Sequence, residues 1–285
     1  MKVVLKIAYQ GAAFAGFQRQ SKDRTVQGDL EAALSKVLGQ PIALQGAGRT
    51  DVGVHGTGQV VSFSADSVPS ANRLCHSLNS ILNSSLAVLE AALLDDESSF
   101  HARYSALSRT YSYLLIDGCG PGEPVFWQGR AWCLPHRLDL DLAQQACALF
   151  QGEHDFSTFS FRMAEMESRV RRVSHIALTA APSPPLLSPF PSTRALRLSI
   201  TANGFLRRMV RLITAGVVEV ACGQRSLENL HERLCCLDPT RAPHPAPPEG
   251  LYLEHIAYDP DPFEEHRGTT RHATAVLKSR HRLKF

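Results

Sequence analysis

The run Gly46-Ala47-Gly48-Arg49-Thr50-Asp51-Val52-Gly53-Val54-His55-Gly56-Thr57-Gly58-Gln59-Val60-Val61-Ser62-Phe63 gathers the residue types that do chemistry into one short segment. The carboxylate of Asp51 can attack an electrophile or stabilise a developing positive charge. Arg49, two positions earlier, presents a permanent cation beside it. Glycines at this density suit neither a helix nor a strand interior. The stretch therefore reads as a loop that bends sharply or lies close to a ligand. Functional residues often occupy such loops, held by a strand behind them. Val61 and Phe63 alternate and mark that strand, from Gln59 to Phe63. The plainer alternative is that Arg49 and Asp51 only staple a glycine-rich hairpin. Asp51 and His55 could also be two metal ligands, but no second cluster has metal-site spacing, so no metal is expected. Gly46-x-Gly48 lacks the Lys-Ser/Thr of a phosphate-binding loop, and no G-x-S-x-G elbow is present.

Strand-like and helix-like patterns alternate around this loop in two rounds. Residues 2 to 9 read as a strand. Val26, Leu30, Leu34, Val37 and Leu38 recur at helical spacing, and Gly39 is a stop. Leu74, Leu78 and Ile81 mark a second helix, and Leu86 to Leu94 a strand. In the second round Tyr111, Tyr113 and Leu115 alternate with their neighbours as a strand does. A helix follows through Leu142, Ala146, Leu149 and Phe150 and ends at Gly152. Residues 168 to 180 and 194 to 202 read as strands, with a proline-dense loop, Pro182 to Pro191, between them. Phe205, Met209, Leu212, Ile213, Gly216 and Val220 form a helical stripe, and Leu227, Leu230 and Leu234 another. A second proline loop, Pro239 to Pro248, leads into a strand from Leu251 to Tyr258.

Two such rounds suggest an α+β fold of two similar halves packed about a shared sheet. The expected organisation is an N-terminal half over 1–105, a second half over 106–260, and a tail over 261–285. The tail is basic through Arg267, Arg271, Lys278, Arg280, Arg282 and Lys284. It reads as solvated and disordered, or more sharply as an electrostatic arm for RNA. The chain has 285 residues, 44% hydrophobic and 20% charged, enough for a sizeable core. A net charge of +3 permits an RNA partner without demanding one. The seven cysteines form no C-x-x-C pair, which argues against a disulfide framework and against zinc. The N-terminus, Lys2-Val3-Val4-Leu5-Lys6-Ile7, is too short and charged for a signal peptide, and no apolar run is long enough to span a bilayer. The expectation is a cytoplasmic protein.

Gly48 to His55 resembles the G-R-T-D-A-G-V-H motif of the tRNA pseudouridine synthase A family, with Val52 for the usual alanine. Phe14-Ala15-Gly16-Phe17-Gln18-Arg19-Gln20 is similar to that family's F-x-G-W-Q-R-Q, with Phe17 for tryptophan. Phe100 to Ala106 resembles F-H-A-R-F-S-A, and Arg109-Thr110-Tyr111-Ser112-Tyr113 resembles R-x-Y-x-Y. Gly152-Glu153-His154-Asp155-Phe156 is similar to G-x-H-D-F, where His154 and Asp155 read as loop architecture. Asn203 to Arg211 resembles N-G-F-L-x-x-M-V-R, with Asn203-Gly204 turning into a helix that carries Arg211. Gly250-Leu251-Tyr252-Leu253 resembles G-L-Y-L.

The resemblance implies a central mixed, mostly antiparallel sheet flanked by helices. It implies isomerisation of uridine to pseudouridine in the anticodon stem-loop of tRNA, at positions 38 to 40, by a homodimer and without a cofactor. Asp51 falls on the nucleophile, Tyr111 on the active-site tyrosine and Arg211 on the basic partner of the aspartate. Arg49, Arg19, His55, Gln59, Arg103 and Leu251 fall on substrate or RNA contacts. From the residues alone, Tyr111 could be a packed core tyrosine and Arg211 a surface cation. A non-catalytic RNA-binding protein on the same fold is the alternative. The intact set Asp51, Tyr111 and Arg211 speaks against it.

Overall fold

A computed structural model describes residues 1–161, 168–181 and 193–264. The first half runs β1 (Lys2–Tyr9), α1 (Val26–Leu38), β2 (Gln45–Gly46), β3 (His55–Ser64), α2 (Ala71–Ile81) and β4 (Leu86–Leu94). The second runs β5 (Ser108–Asp117), α3 (Pro124–Trp127), β6 (Trp132–Leu134), α4 (Leu140–Phe150), β7 (Gly152–Asp155), β8 (Val170–Ala180), β9 (Arg194–Ala202), α5 (Met209–Ala221), α6 (Leu227–Cys235) and β10 (Leu251–Ala257). The fold is α+β, as the alternating patterns predict. The Pro182–Pro191 loop lies outside the described residues, as does the tail beyond Glu264.

Ten strands form one sheet in the order β4-β1-β3-β10-β5-β9-β8-β7, with β2 added to β3 and β6 to β5. Pairing is antiparallel except at β10–β3 and β5–β6. β10 comes last in the chain yet lies between β3 and β5, so it joins the strands of the two halves. Its parallel contact with β3 is brief: Tyr252 opposes His55 and Leu253 opposes Gly56.

Strand alternation divides the core between the two faces of the sheet. Val3, Leu5 and Ile7 pack with Val61, Phe63, Leu30, Leu34, Leu74 and Leu78, so α1 and α2 cover one face of the first half. Val4 and Val60, of opposite parity, belong to the larger cluster. There α4 and α5 pack on Tyr111, Tyr113, Leu115, Leu196, Leu198 and Ile200. Local signals set the helix ends. The Thr25 hydroxyl accepts from Gly28 N–H, and Gly39 takes the left-handed conformation at the end of α1, with φ 69°.

Two local readings need correction. β3 begins at His55, not Gln59, so Gly56 and Gly58 are strand residues. Their glycines serve close approach rather than looping. A Cβ on Gly58 would lie 2.0 Å from the Glu254 carbonyl oxygen of β10, and one on Gly56 2.5 Å from the Tyr9 ring. The helical stripe of the second half begins at Met209, so Phe205 precedes the helix and Arg211 stands in its first turn. Periodicity could not see this, because Phe205 packs against the core from the preceding turn at the same spacing as a helix face.

Gly58→Ala should therefore destabilise the protein by about 3 kcal/mol, because backbone must move to admit the methyl group. Urea unfolding of the variant measures this. A midpoint within error of the parent would mean the β3–β10 junction is slack.

Candidate active site

The loop from Gly46 to Val54 joins β2 to β3, and neighbours pin it on several sides. Ala47 N–H donates to Val60 O at 2.9 Å, and Phe17 N–H to Thr50 O at 3.1 Å. The Tyr9 hydroxyl and Thr50 Oγ1 are 2.8 Å apart. Gly16, at φ 95°, is packed so close that a Cβ would meet Thr50 O at 3.2 Å. The F-x-G-x-Q-R-Q segment is thus the wall against which the loop is formed. Asp51 leads into a turn, its carbonyl accepting from Val54 N–H at 3.2 Å, and its side chain remains about one-third exposed at 32%.

Arg211 meets Asp51 from the first turn of α5. Its Nη1 is 3.8 Å from Asp51 Oδ2, and its side chain is only 11% exposed. That separation makes a charge pair rather than a hydrogen bond. The guanidinium is oriented by a different partner: Nε donates to Ala246 O at 2.6 Å. Ala246 N–H in turn donates to Arg211 O at 3.1 Å. The Tyr113 hydroxyl donates to Pro247 O at 2.6 Å, and Pro248 packs against Gly53. The second proline loop is therefore a strut between Arg211 and the Asp51 loop. Burial lowers the Arg211 pKa from its ordinary value and Asp51 opposes that shift, so the group stays a cation at neutral pH.

Tyr111 of β5 is buried, 7% exposed, and meets Phe205 edge-on at 5.1 Å. Burial first, then the nearby Tyr9, raise its hydroxyl far above the usual phenol range; Asp51 adds to this and Arg109 opposes it. Its phenol thus remains protonated near neutral pH, fit to donate a hydrogen bond or stack, and poor as a base. Leu251 opposes Tyr113 in the β10–β5 ladder and Leu253 opposes Tyr111. Leu251 and Tyr111 are therefore diagonal neighbours on one face of the sheet.

The structure brings Asp51, Arg211 and Tyr111 together at the meeting of β5, α5 and the loop. The other expected residues are distributed differently. Arg49 and Arg103 are exposed. Arg19, 69% exposed, lies on the first half and pairs with Glu31 at 3.1 Å. Gln59 is fully buried behind the loop and donates to Gly48 O at 2.8 Å. His55 is buried at 4%, accepts from Gly11 N–H at Nδ1, and stacks on Tyr252 at 4.5 Å. Burial lowers its pKa, which favours the neutral ring that this hydrogen bond requires. No group of three potential metal ligands forms among the described residues, so Asp51 and His55 gain no third partner.

One residue of the site escaped sequence reasoning. The guanidinium of Arg109 donates to four carbonyls: Ala47 (3.2 Å), Arg103 (2.7 Å), Ala106 (3.2 Å) and Asn203 (3.0 Å). It ties the Asp51 loop to the 100–106 segment and to the turn before Phe205. Its sequence signal was weak: an arginine on the same strand parity as Tyr111, where an apolar residue would be the ordinary choice.

Comparison with known proteins gives the chain its relatives. The sequence model of the tRNA pseudouridine synthase family matches residues 6–105 and 146–259, spans that contain the Asp51 loop and the Arg211 helix. A tRNA pseudouridine synthase A of Caldicellulosiruptor bescii is 33% identical over 90% of this chain and 99% of its own length. Those of Halalkalibacterium halodurans and a Geobacter species are each 37% identical, over 88% and 90% of this chain and 90% and 98% of theirs. With matches spanning both halves of the sheet and the carboxylate–guanidinium pair between them, the chain belongs to the tRNA pseudouridine synthase family.

Proposed function

We propose that this protein isomerises uridine to pseudouridine in tRNA with Asp51 as nucleophile, Arg211 as its counter-ion and Tyr111 as the platform for the flipped base. The observation that carries this reading is the Asp51–Arg211 pair at 3.8 Å, its carboxylate about one-third open to solvent at 32%, beside a buried tyrosine. The reaction breaks the bond from C1′ to N1 of uracil and forms one from C1′ to C5. A proton leaves C5 and one is gained at N1, so atoms and charge balance without an electron carrier. The Asp51 carboxylate, set beside the Arg211 guanidinium, supplies the attacking group. A ring such as Tyr111 can stack on a base held out of the helix. The family resemblance supports the finer reading: uridines 38 to 40 of the anticodon stem-loop, a homodimer on which one tRNA leans on both subunits, and a cytoplasmic setting. Among the described residues no helix is long and apolar enough to cross a membrane. Arg49, exposed at the edge of the loop, is suited to hold the RNA backbone or to fill the place of the flipped base.

Asp51→Asn should reduce turnover on unmodified tRNA by more than about 10³-fold while tRNA is still bound, because the amide keeps the shape and loses the nucleophile. Arg211→Ala should cost roughly 10²-fold through a misplaced carboxylate. The two changes combined should be hardly worse than Asp51→Asn, since the residues act as a unit. Mapping pseudouridine by position in a purified assay gives all three numbers. Wild-type turnover by Asp51→Asn would end the assignment, and additive losses would separate Arg211 from it.

The raised hydroxyl of Tyr111 leads to a pH prediction. Its neutral form is fully present below its folded value, so it contributes no titration between about pH 6 and 10. Rate profiles of Tyr111→Phe and wild type should differ in height and agree in shape over that range. An alkaline limb present only in wild type would make Tyr111 the base.

The dimer is checked by light scattering on the purified protein. Twice the chain mass of 31.3 kDa is expected. A monomer that remains fully active would remove the shared-tRNA arrangement.

A further inference from the structure

Arg208 immediately precedes α5 and has no role in the pair just described. Its backbone has φ 61°, the left-handed region that side-chain-bearing residues seldom occupy. Such outliers persist where the surroundings hold them, often at functional sites. Its guanidinium carbon lies 4.1 Å from the centroid of the Phe161 ring, which fixes the plane of the fork. Its Nε is buried and meets no acceptor. Among the described residues no carboxylate pairs with it. Arg211 follows three residues on, inside the helix, and burial first, then the charge of Arg208, push its pKa down. A strained backbone, a partly desolvated donor and a like-charged neighbour are three unfavourable features at one residue. An anion seated against the guanidinium would offset the last of these.

Arg207, its neighbour, does not share this arrangement. It is exposed, with its guanidinium carbon 5.4 Å from the same ring. Of the two, Arg208 is the one with its plane set at close range and a donor lacking an acceptor, three residues before the Arg211 that meets Asp51.

Resting on the reading of the chain as a tRNA-modifying enzyme, we propose that Arg208 binds a backbone phosphate of the RNA beside the target uridine. A planar fork with a preset orientation suits two phosphate oxygens better than a lysine would. The contact carries no base information and sets the register of the strand over Asp51. The left-handed backbone then has a purpose, since it turns the side chain back over Phe161 as the chain enters α5.

Arg208→Gly tests this, because glycine accepts φ 61° and removes the fork. Affinity for an unmodified tRNA transcript is measured across a salt series, with cooperative thermal unfolding as the check on folding. The expected result is roughly tenfold weaker binding at physiological salt and a log–log salt slope flatter by about 0.7 to 0.9, one phosphate contact. Arg208→Lys should keep most of the slope while losing part of the affinity. If the glycine variant does not fold, Arg208→Gln is judged by the same slope. Unchanged affinity and slope in the uncharged variant would overturn the proposal. A wild-type protein that binds tRNA but makes no pseudouridine would sink the functional reading and leave the slope comparison to judge Arg208. One that does not bind tRNA at all would overturn both.

Discussion

Insertion of β10 between β3 and β5 is the constraint on which the site depends. The strand that closes the chain supplies the junction between the two halves, through only two opposed residue pairs with β3. Those pairs begin at His55, the residue that ends the Asp51 loop. The same strand faces Tyr111 and Tyr113 across its other edge. Backbone pairing at this junction thus sets the distance from the carboxylate to the tyrosine. The contact is close because Gly58 has no side chain to hold the Glu254 carbonyl away.

A second level of order comes from guanidinium groups spent on backbone carbonyls. Arg109 gathers four of them from three separate segments, and Arg211 gives its Nε to Ala246. Loops cannot be held by ladder hydrogen bonds, and their buried carbonyls need donors. A planar cation with five donors meets that need at several points at once. In Arg211 the arrangement leaves one end of the fork facing Asp51, so orientation and charge reach the carboxylate from the same side chain. The second proline loop, which opens with a short 3-10 turn at Pro239–Arg241, is anchored by this contact.

Burial assigns the chemical roles that remain. Tyr111 is held neutral, which suits stacking and donation. Asp51 keeps about a third of its side-chain surface open, enough for a substrate to reach it. Gln59 and His55, although within or beside the same motif as Asp51, face inward and hold the loop from behind. Motif membership therefore mixes residues left open to solvent with residues that shape the loop.

The elements of regular structure were legible in the sequence because their signals are local. Alternation marked β5 and β9, helical spacing with Gly39 as its stop marked α1, and proline clusters marked breaks. The Asp51 motif singled out a loop carboxylate, since few local structures need an arginine, an aspartate and glycines so close together, and the fold sets Arg211 beside that carboxylate. What the sequence could not express was which distant groups meet. That β10 parts β3 from β5, that Arg109 reaches Ala47 from 62 residues away, and that Arg211 is aimed by Ala246 are facts of tertiary packing. Gly56 and Gly58 show the limit most plainly: the residue type declares that space is short, and only the folded neighbours, Tyr9 and Glu254, declare what fills it.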